Sequence, residues 1–237
     1  MSDVSKGLVV EDNIPENIFA NITGMSPYAF EYQLNGGYIP LKFGYRVGVS
    51  GEISYTREGK AVFGKINSLC IRVSQNRMLY DTNVFKTLYD ERIYNTCVIS
   101  PSGCGKTTFL KNFAAHINTV RPDIHMCIAD ERGELSISGL KNSSVMSNCN
   151  KSKAVEYFVR CMNPGLIMFD ELWGEDDFVS VRNAMMSGIP VVFSIHGTDE
   201  ENTVYHQHYD KLKSLIKRNV ILSKKSGPGT LEVIKRC

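Results

Sequence analysis

The chain has 237 residues, 43% of them hydrophobic and 22% charged, which is enough to bury a sizeable core without disulfides in one or two domains. No apolar run approaches the roughly 18 residues of a membrane span, and the N-terminal stretch MSDVSKGLVVEDN has neither a long apolar core nor a small-residue cleavage site, so it does not read as a secretory leader. The net charge of +2 is too small to imply a nucleic-acid partner, but residues 211–237 hold eight basic side chains against Glu232 alone, making that tail +7 and the rest −5.

Residues 1–35 predict an arm and a short helix capped by Asn21 or Thr23, with Tyr28, Phe30 and Tyr32 buried. From Gly36 to about Ser74, short β-rich runs at 37–40, 46–55, 61–63 and 66–73 alternate with glycine turns, and Arg57-Glu58-Gly59-Lys60 reads as a hairpin loop. A small antiparallel sheet with little core of its own is expected there. Residues 81–92 read as a short helical connector.

After Tyr94 the rhythm becomes strand–helix–strand. Strands are expected at 94–100, 125–129, 166–169 and 189–194, and helices at 106–118, 152–162 (capped by Ser152), 176–187 and 201–218. A final hairpin joins 220–223 to 231–234 through Ser226-Gly227-Pro228-Gly229. This alternation predicts an α/β fold with a mostly parallel central sheet flanked by helices. The expected organisation is a small α+β domain over 1–80, a linker helix over 81–93 and a nucleotide-binding domain over 94–237. The seven cysteines are odd in number, widely spaced and without a CxxC pair. They read as free thiols in a reducing cytosol, with no zinc site, and Cys97 and Cys127 as small buried hydrophobes.

Four motifs fall at the ends of expected strands. The first, Ser100-Pro101-Ser102-Gly103-Cys104-Gly105-Lys106-Thr107-Thr108, follows a strand and opens a helix, the context of a phosphate-binding P-loop. Gly103 and Gly105 let backbone N–H groups curl around an anion at a helix N-terminus. Lys106 is placed to neutralise β- and γ-phosphates, and Thr107 to offer its hydroxyl to Mg²⁺. Ser100 stands where the strict pattern has glycine. The second, Leu166 to Glu171, is an apolar strand ending in two carboxylates: Asp170 to orient Mg²⁺ and Glu171 to polarise an attacking water. The third, Asp130-Glu131-Arg132-Gly133-Glu134, reads either as further acid for Mg²⁺ and water, with Glu131 the candidate catalytic residue, or as a solvated turn in which Arg132 pairs with its neighbours. In the fourth, Ser194 to Thr198, His196 either senses the γ-phosphate or a neighbouring subunit, or is structural. His206 and His208 read as solvated, and His116 and His125 as structural.

These boxes, in this order, resemble those of the secretion-type ATPases of the RecA-like P-loop group. More narrowly, the chain is similar to the stage III sporulation protein AA family. The carrying residues are the runs 44–51, 68–73, 99–110, 130–134, 169–171, 195–197 and 222–230. The resemblance implies a RecA-like P-loop NTPase domain preceded by a small β-rich domain. It implies ATP and Mg²⁺ as cofactors, with Ser102 to Thr108 holding nucleotide and Thr107 and Asp170 the metal. Arg46 and Arg72 become candidates for γ-phosphate contact. It further implies a likeness to the hexameric motors of type II and type IV secretion, so a homo-oligomer, cytoplasmic and peripheral at the inner face of the membrane. Such a motor docks on membrane-embedded channel proteins between mother cell and forespore. Departures from the family pattern are a start close to the β-rich part, a short stretch between Glu134 and Lys151, and Leu172-Trp173-Gly174 where Ile-Gly-Arg is usual.

Three readings follow: a Mg²⁺-dependent ATPase motor that energises or assembles a transenvelope complex, an ATP-gated assembly scaffold with little turnover, and a nucleic-acid-handling ATPase. The last is weakened by a basic tail without aromatics for base stacking. That tail reads as a docking face for an acidic partner or anionic membrane, or as a solvated surface.

Overall fold

The computed structural model describes residues 11–237 apart from 36, 42–44, 58, 60, 74–79, 136, 138, 148 and 205, and the side chains of Tyr28, Tyr32, Asn35 and Ala61. The expected burial of Tyr28 and Tyr32, and half of the expected 57–60 loop, therefore lie outside the described residues. The chain divides into two compact units, Met1–Ser74 and Gln75–Cys237.

In the first unit, helix α1 (Ile14–Ile22) opens on a proline in its first turn, where a missing N–H costs nothing. Thr23 closes this helix; it does not cap a later one. Its hydroxyl donates to the carbonyl of Phe19 at 3.0 Å, and Gly24 and Met25 follow with φ of +58° and +61°, which no helix continues through. A 3₁₀ turn (Pro27–Phe30) and α2 (Glu31–Asn35) lead into β1 (Tyr38–Pro40), β2 (Arg46–Tyr55) and β3 (Ala61–Arg72), an antiparallel sheet in the order β1-β2-β3. The two β-rich runs expected at 61–63 and 66–73 are one strand. The β2–β3 register shifts at Gly51, where a Cβ would stand 2.3 Å from the Lys65 carbonyl oxygen, so the bulge requires glycine. The core is small, as expected: Phe19, Leu34, Ile39 and Ile66, with Phe30, Val49 and Leu69 packed against it.

The second unit is built on a seven-stranded sheet. Its strands are β4 (Thr96–Ser100), β5 (Met126–Asp130), β6 (Ser143–Ser147), β7 (Leu166–Phe169), β8 (Val191–His196), β9 (Arg218–Ser223) and β10 (Thr230–Arg236), in the order β10-β9-β4-β8-β7-β5-β6. Among the described residues of this sheet, only the β9–β10 hairpin is antiparallel. Successive residues of the central strands face opposite layers. Cys97, Ile99, Ile167, Phe169, Phe193 and Ile195 join one core cluster, and Val98, Leu166, Met168 and Val192 the other. With both faces covered, the strands read as continuous apolar runs rather than alternating ones.

Helix α4 (Lys106–Val120) covers the second face with Phe109, Leu110, Phe113, Ala114 and Ile117. The opposite face is covered by α5 (Lys151–Tyr157), α6 (Glu175–Met186) and α7 (His206–Lys213). The segment expected as a linker over 81–93 instead packs three of its side chains into the second unit's core. Helix α3 (Thr82–Phe85), capped by Asp81, and a 3₁₀ turn (Lys86–Leu88) bury Phe85 and Leu88, which join Ile93 and the α4 side chains in one cluster, with the Phe85 and Phe109 rings 5.4 Å apart.

Other boundaries differ for local reasons. Asn150, not Ser152, caps α5, accepting from the Ser152 N–H at 2.9 Å. The helix then widens into a π turn (Phe158–Met162) that stops at Asn163, with φ +45°, before Pro164. The helix expected over 201–218 is only α7. Asp199 accepts backbone N–H bonds from Glu201 and Asn202 and holds 199–202 as a turn, while Arg218 has already entered β9. Strand β6, which no sequence motif announced, extends the sheet edge beside β5.

Candidate active site

All four strand-end motifs emerge at one edge, because β4, β5, β7 and β8 are parallel and end together. The strand order does the rest. Since β8 lies between β4 and β7, and Ser100 is paired in register with His196, His196 stands between the phosphate loop and the Asp170-Glu171 turn.

The loop after β4 has the backbone of an anion cradle. Gly103 and Gly105 have φ of +69° and +89°, left-handed values that glycine adopts without strain. Cys104 is buried between them, and Ser102 is exposed. The helix begins at Lys106, with Thr107 and Thr108 in its first turn. Lys106 is 7% exposed. Its ammonium donates to the carbonyls of Ser100 (3.1 Å) and Pro101 (3.3 Å) and meets His196 Nδ1 at 3.0 Å. Burial pulls its pKa below the usual lysine value, against the opposing pull of Glu171 and Asp170.

His196 continues the chain of contacts, with Nε2 2.6 Å from Glu171 Oε1. The other oxygen of Glu171 lies 3.5 Å from Arg132. Glu171 itself has φ +43°, an uncommon conformation for a glutamate that its surroundings must hold. Its N–H donates to Ser194 Oγ at 2.9 Å, and its carbonyl accepts from Lys151 at 2.7 Å. Beside it, Asp170 accepts from Thr107 Oγ1 at 2.5 Å and from Ser194 Oγ at 2.6 Å.

The acidic box divides its labour in a way the sequence did not show. Glu131, expected near the reacting phosphate, forms an ion pair with Lys151 at 3.0 Å. Glu134 is the box's member beside the phosphate loop, 3.4 Å from Thr107 Oγ1. Asp130 is buried and accepts the Glu134 N–H at 2.8 Å, fixing the turn. Lys151, missed from sequence, is a buried hub: its ammonium reaches Glu131, the Glu171 carbonyl and, at 3.7 Å, Asp177. Asp177 in turn accepts the Trp173 N–H at 3.0 Å. A lone lysine at the start of a helix carries no sequence signal for this. Lys111, one turn along α4 from Thr107, is buried too, and desolvation lowers its pKa against Asp130 and Asp170.

Arg72 ends β3 in the first unit, opposite Arg46 in register, and Arg46 lies 4.6 Å over the Tyr38 ring. Of the other histidines, His116 bonds to the Tyr89 hydroxyl at 3.0 Å, and His125 bridges the Met162 carbonyl and Ser144 Oγ. His206 pairs with Asp210 on the α7 surface, whereas His208 stacks on Phe178. The cysteines are free thiols, with Cys97 and Cys127 buried. No helix among the described residues is long and apolar enough to cross a membrane.

Residues 1–236 match the family described as "Sporulation stage III, protein AA". The chain belongs to that family. It is 26% identical over 230 residues to Stage III sporulation protein AA of Bacillus subtilis (strain 168), an alignment covering 92% of this chain and 75% of that one. Among solved structures it is similar to the Legionella pneumophila ATPase DotB (TM-score 0.57, 15% identity, 90% of this chain and 64% of that one). It is also similar to the Yersinia pseudotuberculosis ATPase DotB (0.55, 17%, 96% and 68%). A third likeness is to the pilus retraction motor PilT with bound ADP (0.52, 16%, 77% and 56%). At such identities the likeness is one of fold, and the sporulation AA chain has the RecA-like fold of secretion ATPases while spanning 64% of the length of Legionella DotB.

Proposed function

We propose that this member of the sporulation AA family is a Mg²⁺-dependent ATPase, a motor that energises or assembles a transenvelope channel between mother cell and forespore. The observation that carries the reading is the continuous set of contacts Lys106–His196–Glu171 beside Thr107–Asp170, built from three strand ends at one sheet edge. The residues present fit both ligands. The left-handed glycines at 103 and 105 shape a loop for phosphate, and the hydroxyl–carboxylate pair Thr107–Asp170, with Glu134 beside it, is an all-oxygen donor set of the kind Mg²⁺ takes together with waters and substrate phosphates. When bound, Mg²⁺ supplies positive charge to the phosphate oxygens.

In this reading Lys106 exchanges its bonds to the loop's own carbonyls for bonds to the β- and γ-phosphates. Glu171 orients a water and accepts its proton as the water oxygen attacks the γ-phosphorus and the bond to the β-bridging oxygen breaks. His196 links the lysine to this base, so that phosphate occupancy at Lys106 is felt at Glu171. Positioning and fixed charge do the catalysis. Arg72 is proposed as a γ-phosphate contact and the assembly as a hexameric ring at the inner membrane face, docked on membrane-embedded channel proteins.

Steady-state phosphate release tests the reading. Lys106→Ala is expected to lose ATP binding, and Glu171→Gln to keep binding while losing hydrolysis. A Glu171→Gln protein with intact turnover overturns the assignment of the base. Size measurement with and without Mg-ATP tests the ring, and an unchanged monomer overturns it. The second reading, an ATP-gated scaffold with little turnover, is favoured by one observation: both Glu171 oxygens already have partners, His196 and Arg132. Sustained phosphate release by the wild type, alone or with its membrane partner, excludes it.

A further inference from the structure

The basic C-terminal segment was not absorbed by the four strand-end motifs, yet part of it lies against the phosphate loop. The turn joining β9 to β10 forms one wall of that loop. The Gly229 N–H donates to the Cys104 carbonyl at 3.1 Å. A Cβ at Gly105 would stand 3.0 Å from Gly229 Cα, and a Cβ at Gly103 would stand 3.3 Å from Lys224 Nζ. The Lys224 ammonium is therefore within roughly 5 Å of the Gly103 backbone, a single bond length further on.

The turn is held in shape by its own bonds. The Gly227 N–H donates to the Lys224 carbonyl at 3.0 Å, the Ser226 N–H to Thr230 Oγ1 at 3.1 Å, and that hydroxyl to the Gly227 carbonyl at 2.7 Å. Lys224 is exposed, and among the described residues no carboxylate pairs with it. Its neighbour Lys225 lies 4.0 Å from Glu232.

We propose that Lys224 is a second phosphate-binding cation, clasping the nucleotide's polyphosphate from the open side of the loop while Lys106 holds it from within. The charges around the site call for one. Within the site the cations already face carboxylates, Lys106 toward Glu171 and Asp170, Lys111 toward Asp130 and Asp170, and Arg132 toward Glu171, whereas an incoming di- or triphosphate is itself anionic. A lysine on a braced turn is a compact cation well suited to phosphate. The inference rests on the phosphate-loop reading given above.

The test is calorimetric titration of the full chain with Mg-ATP and Mg-ADP, comparing wild type with Lys224→Met, Lys224→Arg and Lys225→Met. Lys224→Met is expected to weaken binding of both nucleotides about five- to tenfold, the worth of one partly exposed charge-assisted hydrogen bond. The deficit should narrow at about 1 M salt, where the screening length is about 3 Å. Lys224→Arg and Lys225→Met should stay within about twofold of wild type, being respectively a retained charge and a charge held elsewhere. A Lys224→Met protein that binds like wild type overturns the proposal and leaves the phosphate-loop reading standing. Equal losses in Lys224→Met and Lys225→Met also overturn it, since the effect is then one of net charge. A wild type that binds neither nucleotide overturns the phosphate-loop reading itself.

Discussion

Lys151→Met is the most informative perturbation away from the phosphate loop. The side chain of Lys151 is 6% exposed, and its ammonium is shared among Glu131 (side chain 34% exposed), Asp177 (9% exposed) and the Glu171 carbonyl. Removing one member of a buried ion pair typically costs 3–5 kcal/mol because the other is left charged and unpaired. Here Glu131 recovers water easily and Asp177 is 3.7 Å away, so the expected loss is near the lower end, about 3 kcal/mol. For a unit of this size that is about 6–12 °C in Tm.

The loss should depend on pH. Burial holds the Asp177 carboxyl above the usual carboxylate range, and Lys151 opposes that rise; without the lysine it climbs further. A pKa raised on folding gives stability that is full below the unfolded value and lost as pH rises through the folded one. The deficit of Lys151→Met is therefore largest near neutral pH and shrinks at acid pH, as the carboxyl takes up its proton. Activity should separate from stability. Glu171 keeps its left-handed backbone with Lys151 on its carbonyl, and a misplaced base costs about 10²-fold in turnover. Adding Asp177→Asn to Lys151→Met should restore much of the Tm but not the turnover. Thermal unfolding at neutral and at acid pH, with phosphate release on the same samples, decides the matter. A Tm within about 2 °C of wild type at neutral pH, or turnover that recovers together with Tm in the double variant, refutes the reasoning.

Phe85→Ala should lower the stability of the second unit by about 3–4 kcal/mol, read by chemical denaturation; near-neutrality would mean that residues 81–93 are a linker after all. Gly105→Ala should abolish ATP binding, read by titration, because its Cβ meets Gly229 at a positive φ. Ser194→Ala removes a hydroxyl that serves both Asp170 and the Glu171 N–H, and turnover should fall at least tenfold with ATP affinity nearly unchanged; a purely structural role would instead show as a lower Tm with normal turnover. In Lys106→Ala the thermal shift that Mg-ATP gives the wild type should vanish.

Most of the second unit was legible because its strands are short apolar runs that end in acids, histidine or a glycine loop, and because buried parallel strands need no alternation. Lys106, Thr107, Asp170, Glu171 and His196 could be placed at one edge from those strand ends alone. Their contacts could not, since these depend on β8 lying between β4 and β7, a long-range choice no local pattern encodes. Glu131 and Glu134 show the limit well: two residues of one turn, chemically alike, are separated by whether a lysine 20 residues on in Glu131's case is within reach. The helix expected over 201–218 is shorter at both ends, because Asp199 holds Glu201 and Asn202 in a turn before it and Arg218 is already paired in β9 after it, and side-chain capping and sheet pairing override helix propensity there. The π turn at 158–162 and the edge strand β6 carried no motif that announced them.

The central claim is that the edge formed by Lys106, Thr107, Asp170, Glu171 and His196 binds and hydrolyses Mg-ATP. Equilibrium ATP binding and steady-state phosphate release, measured on the same preparations of wild type and Glu171→Gln, test it most directly. The expected result is equal ATP affinity, with turnover present in the wild type and at least about 10²-fold lower in the variant. A wild type that binds no ATP, or a variant that turns over as fast as wild type, would contradict it.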